Sequence, residues 1–186
     1  MGGNRGDREG LLSRACGMIR ERIGDLARVS SMYESEPWGF EDPTSFYNLA
    51  AEVKTALSPE VVLRKIHEIE DSLGRIRALP AARRASDGER IYEPRAMDID
   101  ILFYGSKMIR TKDLAIPHPR LAERKFILVP LAEIAPELVH PGLNKTIGEL
   151  LAACRDTGNI KRRGGIKEFR GPQGGCPTTS ENACFR

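Results

Sequence analysis

The chain has 186 residues, 40% of them hydrophobic and 30% charged, which fits one soluble domain with a buried core and excludes a membrane bundle or a wholly disordered polyelectrolyte. Its formal charge is +3, yet residues 155–186 hold seven basic and three acidic groups, so residues 1–154 come to about −1 and lack the broad basic face of a generic nucleic-acid binder. No apolar run nears the ~20 residues that span a bilayer, no signal-peptide core is visible, and Cys16, Cys154, Cys176 and Cys184 form no CxxC pair, so a cytoplasmic protein with reduced thiols is expected.

From Asp7, placed to cap, Leu11, Leu12, Ala15, Met18, Ile19 and Ile23 recur at helical spacing. Residues 27–33 read as a short strand, followed by a Pro/Gly-containing loop over residues 35–43. From Phe46 to Leu57 the alternation of Tyr47, Leu49, Ala51, Val53, Thr55 and Leu57 has the period of a strand with one buried face. Ser58-Pro59 opens a second helix that runs to Gly74. Residues 75–95 carry six arginines against three acids without periodicity, as a mobile functional loop or a disordered segment does. Residues 97–104 (MDIDILFY) read as a strand ending at Gly105, with a hairpin to follow through Ile109 and Ile116. After Pro117-His118-Pro119 comes a helical stretch at Arg124–Ile134, in which Pro130 is expected to mark a break between two short helices. Thr146 to Glu149 forms a capping box for a last helix through Ala153. Residues 155–186, with six glycines and two prolines, read as a disordered tail. The order suggests an α+β sandwich, with helices packed on a mainly antiparallel sheet.

Asp98 and Asp100 stand two apart in the predicted strand, so their carboxylates leave one face roughly 7 Å apart while Ile99 and Ile101 face the core. Such a pair suits a hard divalent cation that takes the rest of its shell from phosphate and water. A solvated strand face is the plain alternative. The adjoining arginine loop shifts the balance towards triphosphate chemistry, because guanidinium groups and cations both neutralise phosphate. No Walker loop or GxGxxG motif is present. His118, rigid between two prolines, can contact a phosphate or hydrogen-bond the backbone, and taken singly the structural role is favoured. Phe46 and Phe126 are core candidates that gain interest from Asn48, whose amide can read the edge of a flat heterocycle held between aromatics.

The segments SSMYESEPWGFEDPTSFYNLA, IEDSLGRIR, PRAMDIDILFYG, IPHPRLAERKFILVPLAEIAP and His140-Pro141 together resemble the 6-hydroxymethyl-7,8-dihydropterin pyrophosphokinase family of folate biosynthesis, over roughly residues 4–154. The resemblance implies a ferredoxin-like fold and transfer of the β,γ-diphosphate of ATP to the pterin hydroxymethyl oxygen, leaving AMP. It implies that Asp98 and Asp100 hold two Mg²⁺ ions, one bridging the α- and β-phosphates. The other would bridge the β- and γ-phosphates or bind the attacking hydroxyl. Arg75 and Arg95 match loop arginines that close on the triphosphate, and Tyr92 an aromatic that seals the loop. Glu70, Arg77, His118 and Arg124 match nucleotide or phosphate contacts. Phe46, Asn48 and Phe126 match the pterin pocket, to which Ser35, Glu36 and Trp38 contribute mainly backbone groups.

The expected partners are these two small-molecule substrates, with no membrane and no nucleic acid, and a monomer is the expected state. Residues 1–154 would form the enzyme domain. Two departures stand out. The usual first, central strand is missing, since Met1-Gly2-Gly3-Asn4 begins at the turn that follows it, and the Gly-rich tail reads as a poor substitute. The stretch from Arg77 to Arg95 is about ten residues longer than the family pattern, so Arg83, Arg84 and Arg90 carry no assigned role. The rival readings are a catalytically impaired protein of the same fold that binds pterin, nucleotide or RNA, and another ATP-dependent transferase acting on a flat heterocycle.

Overall fold

The structure, a computed structural model, describes residues 1–39, 43–74, 97–166 and 182–185. Helix α1 (Arg8–Arg22) starts where the Asp7 side chain accepts from the Gly10 N–H at 3.0 Å, and it buries Leu11, Leu12, Ala15, Cys16 and Ile19. Helix α2 (Pro59–Ser72) starts at the Ser58 cap with proline in its first turn, and it ends before Gly74, whose φ of +86° favours glycine. Both helices follow the sequence expectation.

The two predicted strands are each broken by a corner. Residues 25–35 form β2 (Asp25–Val29) and β3 (Met32–Ser35), and residues 46–54 form β4 (Phe46–Asn48) and β5 (Ala51–Lys54). β2 pairs with β5 and β3 with β4, so the four pieces are one long hairpin bent at Ser30-Ser31 and Leu49-Ala50. The bend has a local cause. Ser30 N–H donates to the Ala50 carbonyl, while Ala50 N–H donates to the Ser30 hydroxyl, each at 2.9 Å, so a side-chain oxygen replaces a main-chain acceptor in the ladder.

The bent hairpin links two antiparallel four-stranded sheets. One has the order β2-β5-β12-β6, with β6 at Ile101–Tyr104 and β12 at Asn182–Phe185. The other has the order β1-β4-β3-β11, with β1 at Gly2–Gly3 and β11 at Ile160–Gly164. The remaining strands form two small hairpins: β7 (Ile109–Arg110) with β8 (Ala115–Ile116), and β9 (Val139–His140) with β10 (Lys145–Thr146). Helix α3 (Lys125–Ile134) follows a 3-10 turn at Leu121–Glu123, and α4 (Ile147–Ala153) follows the capping box of Thr146 and Glu149. One core lies between α1, α2 and the sheet, with Ile101, Tyr104, Ala183 and Phe185; the other lies on the α3 and α4 side, with Leu102, Phe103 and Cys184. The architecture is therefore an α+β sandwich on antiparallel sheet. Among the described residues no helix is long and apolar enough to cross a membrane.

Three expectations are corrected. The place of the first strand is filled: Gly2–Gly3 pairs with β4, and Asn182–Phe185 lies between β5 and β6. Without it both neighbours would expose ladder groups, whereas Ala183 and Phe185 enter one core and Cys184 the other. Residues 155–186 are accordingly not all tail, since β11 pairs with β3 as well. There Arg163 pairs with Glu34, and Arg162 reaches Glu133 at 3.3 Å. Finally, α3 continues through Pro130. The cost of a proline inside a helix, about 3 kcal/mol, is opposed by burial of Phe126, Ile127, Leu128, Leu131 and Ile134.

Candidate active site

Met97, Ile99 and Ile101 are buried, while Asp98 and Asp100 between them are half-buried. This alternation puts both carboxylates on the side away from the core, as the two-residue spacing predicts. The segment is held through its backbone. Asp98 and Gly2 exchange both main-chain hydrogen bonds, at 2.9 and 2.8 Å, and the Ile99 N–H donates to Glu70 Oε1 at 2.8 Å. Glu70 is 1% exposed, so this oxygen fastens the residue between the aspartates from inside the molecule. His118 follows the cis Ile116–Pro117 bond and donates its backbone N–H to the Leu102 carbonyl at 3.0 Å, which ties the histidine turn to the strand that follows Asp100.

The donor set at this edge is hard oxygen, as Mg²⁺ prefers. Among the described residues no group of three or more His, Cys, Asp or Glu side chains converges on one point. A divalent ion on Asp98 and Asp100 would therefore complete its shell from phosphate and water, which is the fit a metal–nucleotide complex requires.

The second half of the site is aromatic. The Trp38 and Phe126 rings lie 6.4 Å apart at 54°, and the Arg124 guanidinium sits 4.7 Å from the Trp38 centroid and 5.8 Å from that of Phe126. Arg124 is largely buried, so much of this contact is away from water. Ser35, Glu36 and Trp38 line a cleft against Phe126. Fully buried Asn48 donates from Nδ2 to the Ser35 hydroxyl at 2.9 Å, and Phe46 stands opposite Ser35 in the ladder. The predicted pterin residues are thus neighbours: Ser35, Glu36, Trp38 and Phe126 share a cleft, with Asn48 and Phe46 joined to it through Ser35.

One glycine connects the halves. Gly2 pairs with Asn48 on one side and bridges Asp98 on the other. At the ordinary interstrand spacing of about 4.8 Å, Asn48 and Asp98 lie about 10 Å apart across it. A Cβ on Gly2 would meet Asn48 Oδ1 at 2.4 Å, so a side chain there would displace the Asn48 amide.

Four predicted residues, Arg75, Arg77, Tyr92 and Arg95, lie outside the described residues, as does the rest of the arginine-rich stretch. The sequence reading missed a wall of the cleft formed by Asp156, Gly158, Asn159 and Ile160. Asp156 Oδ2 accepts from the Lys125 N–H at 3.0 Å and its Oδ1 accepts from Gly158 N–H at 2.9 Å, so it caps α3 one residue before Phe126. The Asp-x-Gly spacing is a turn signal, but its partner lies about thirty residues away in the chain, beyond the reach of local pattern.

Comparison with known proteins bears on the same residues. Residues 1–136 match the family model described as 7,8-dihydro-6-hydroxymethylpterin-pyrophosphokinase. A 2-amino-4-hydroxy-6-hydroxymethyldihydropteridine pyrophosphokinase of Bacillus subtilis is 40% identical over 173 residues, covering 91% of this chain and 92% of the relative. The protein of that name from Aquifex aeolicus is 38% identical over 150 residues, covering 80% and 86%. Among solved structures, a crystal structure of HPPK-DHPS in complex with substrates matches with a TM-score of 0.55 at 12% identity, covering 82% of this chain and 42% of that one, a likeness of fold. With a family model matched over residues 1–136 and a relative of similar length sharing 40% of its sequence, the chain belongs to the 7,8-dihydro-6-hydroxymethylpterin-pyrophosphokinase family.

Proposed function

We propose that the chain transfers the terminal diphosphate of ATP, as one unit, to the hydroxymethyl oxygen of 6-hydroxymethyl-7,8-dihydropterin, releasing AMP. The observation that carries this reading is the bridge at Gly2, which sets an amide that can read a heterocycle edge one strand from a carboxylate pair suited to Mg²⁺. The pterin ring lies in the cleft of Trp38 and Phe126, with Asn48 and main-chain groups of residues 35–38 at its polar edge. Asp98 and Asp100 hold two Mg²⁺ ions with the nucleotide. When bound, these ions neutralise phosphate charge and polarise the attacking hydroxyl.

The protein's own groups supply position. Glu70 and Gly2 fix the backbone of the aspartate segment. His118, held on β6, faces the phosphates, and Arg124 packs its guanidinium on the pterin-side aromatics while adding positive charge beside the diphosphate. Arg75, Arg77, Tyr92 and Arg95 close over the triphosphate and stabilise the charge that develops on it. Oriented reactants and charge neutralisation account for the rate, with little protein acid–base chemistry. Every group named comes from one chain, in keeping with a monomer.

A mixture of the protein, Mg²⁺, ATP and the hydroxymethyldihydropterin yields AMP and the pterin diphosphate in equal amounts. Formation of ADP without AMP refutes the reading. Asp98→Ala and Asp100→Ala each lower turnover by at least about 10³-fold, as expected for loss of a ligand to a catalytic metal, while circular dichroism stays unchanged. Near-normal turnover in either variant refutes the metal assignment.

A further inference from the structure

In the sheet ordered β1-β4-β3-β11, one row of register partners runs from the aspartates to the opposite edge. Asp98 is bridged to Gly2, Gly2 pairs with Asn48, Asn48 with Tyr33, and Tyr33 with Arg162. Partners in such a row share a face, so Asn48 stands on the same side as Asp98. β11 is the strand of this sheet farthest from Asp98, and it lies two strands beyond Asn48, about 10 Å at the ordinary interstrand spacing. A second row joins Phe46, Ser35 and Ile160, and Ile160 packs with Trp38 against the α3/α4 core. The start of β11 and the turn before it therefore close the cleft at the end away from the carboxylates.

The proposed substrate has two matching ends. Its hydroxymethyl group, on C6, must reach the phosphates at Asp98 and Asp100, and C2, which carries the amino group, lies at the other end of the long axis of the bicycle. With Asn48 beside the ring, the amino end points towards β11. An amino donor enclosed in a cleft needs an acceptor. In the wall of Asp156, Gly158, Asn159 and Ile160, the Asp156 carboxylate is taken by the Lys125 and Gly158 N–H groups, the Gly158 carbonyl accepts from Lys125 Nζ at 3.4 Å, and Ile160 is apolar. Asn159 is the remaining polar side chain, and it is exposed. It is also held in place, since Asp156 is tied to the first turn of α3 on one side and Ile160 is paired with Ser35 on the other. We propose that Asn159 is a specificity residue for the pterin, its side-chain carbonyl accepting a hydrogen bond from the 2-amino group, in addition to the contact made by Asn48. The assignment rests on the pyrophosphokinase reading.

The test compares two substrates on three full-length proteins, by AMP release at saturating Mg²⁺ and ATP. One substrate is 6-hydroxymethyl-7,8-dihydropterin and the other is the same molecule without its 2-amino group. Asn159→Ala raises the KM for the first about five- to tenfold, the value of one hydrogen bond, with a smaller change in kcat. On the analogue the same substitution costs less than about twofold, because the group it addresses is gone. Asn159→Asp keeps an acceptor oxygen and keeps the preference for the 2-amino substrate. An equal loss on both substrates makes Asn159 part of the packing alone and overturns the proposal, as does an unchanged KM in Asn159→Ala. If the wild-type chain forms no AMP, the reaction is refuted, and calorimetric titration of the same ligands in the presence of Mg²⁺ and a non-hydrolysable ATP analogue then decides the contact. The Kd values keep the same pattern if the contact exists, and equal Kd values for wild type and Asn159→Ala, or no binding to the wild type, overturn it.

Discussion

Asp156 provides a sharp test of how the cleft is supported. It accepts a hydrogen bond from the Lys125 N–H of α3, and that bond lies at the first turn, one residue from the Phe126 ring. Asp156→Ala removes the acceptor for Lys125 N–H and the one for Gly158 N–H. Loss of a helix-capping carboxylate costs about 1 kcal/mol, including its favourable position at the positive end of the helix dipole. The lost turn bond adds a further contribution of about 1 kcal/mol. A destabilisation of about 2 kcal/mol lowers Tm by about 4–8 °C in a domain of this size. Because the disturbed turn carries the Phe126 ring, with Arg124 beside it, but neither aspartate, the KM for the pterin rises several-fold and that for ATP rises less. Asp156→Asn keeps one acceptor oxygen and shows a smaller effect on both readouts. Calorimetric melting and AMP release at varied pterin concentration measure the two effects. A Tm within about 1 °C of wild type, or a KM increase confined to ATP, refutes the reasoning.

Glu70→Ala leaves the buried Ile99 N–H without its acceptor, a cost of about 1–3 kcal/mol, and lowers kcat more than it raises the KM for ATP. Glu70→Gln keeps a carbonyl oxygen for that bond and retains most activity; an equal rise in KM for ATP in both variants would instead make Glu70 a nucleotide contact. Ser35→Ala removes the oxygen that accepts from Asn48 Nδ2 and raises the KM for the pterin without altering the Mg²⁺ dependence, as read from initial rates. The docking of β11 is acid-labile. The Ser45 hydroxyl and the Arg163 guanidinium hold the Glu34 carboxyl below its ordinary value of 4.5. For Glu133 burial pulls upward, but hydrogen bonds from Ser31 and Tyr33 and the charge of Arg162 outweigh it. A carboxyl with a depressed folded pKa stabilises above its unfolded value and loses that contribution as pH falls through the folded one. Hydrogen-exchange protection of residues 160–164 therefore declines as pH drops below about 4.5, and Glu34→Gln flattens that decline; equal protection of β11 at neutral and acid pH refutes the coupling.

The features legible in the sequence were those whose cause is local. Helix starts at Asp7, Ser58 and Thr146 are set by a side chain bonding within its own turn, and each was placed correctly. The alternation over residues 97–101 gave the faces of Asp98 and Asp100 because period two needs no knowledge of the partner strand. The corners at Ser30 and Ala50 escaped it, since each arm remains β-forming and only the cross-strand bond of the Ser30 hydroxyl shows where the ladder turns. Pro130 was misplaced for a related reason: the rule against helical proline weighs local cost, whereas the burial that opposes it is tertiary.

The segment after residue 154 was misread because its composition is averaged over glycines, while four residues with the right neighbours are enough to complete a sheet. β12 meets partners about 130 and 80 positions away in the chain, and such contacts have no signature in a local window. The physical requirement behind them was nevertheless visible. A sheet of this kind cannot leave two inner edges open, because each unpaired buried amide or carbonyl costs on the order of a kcal/mol or more. Between β5 and β6 that place is taken by Ala183, Cys184 and Phe185, with small groups where the cores are tight and an aromatic ring on the α1 and α2 side. The candidate site leans on the same pairing: Asp98 is bridged to Gly2 and Ile101 is paired to Phe185, so the segment that carries Asp98 and Asp100 is hydrogen-bonded to both pieces of its neighbour.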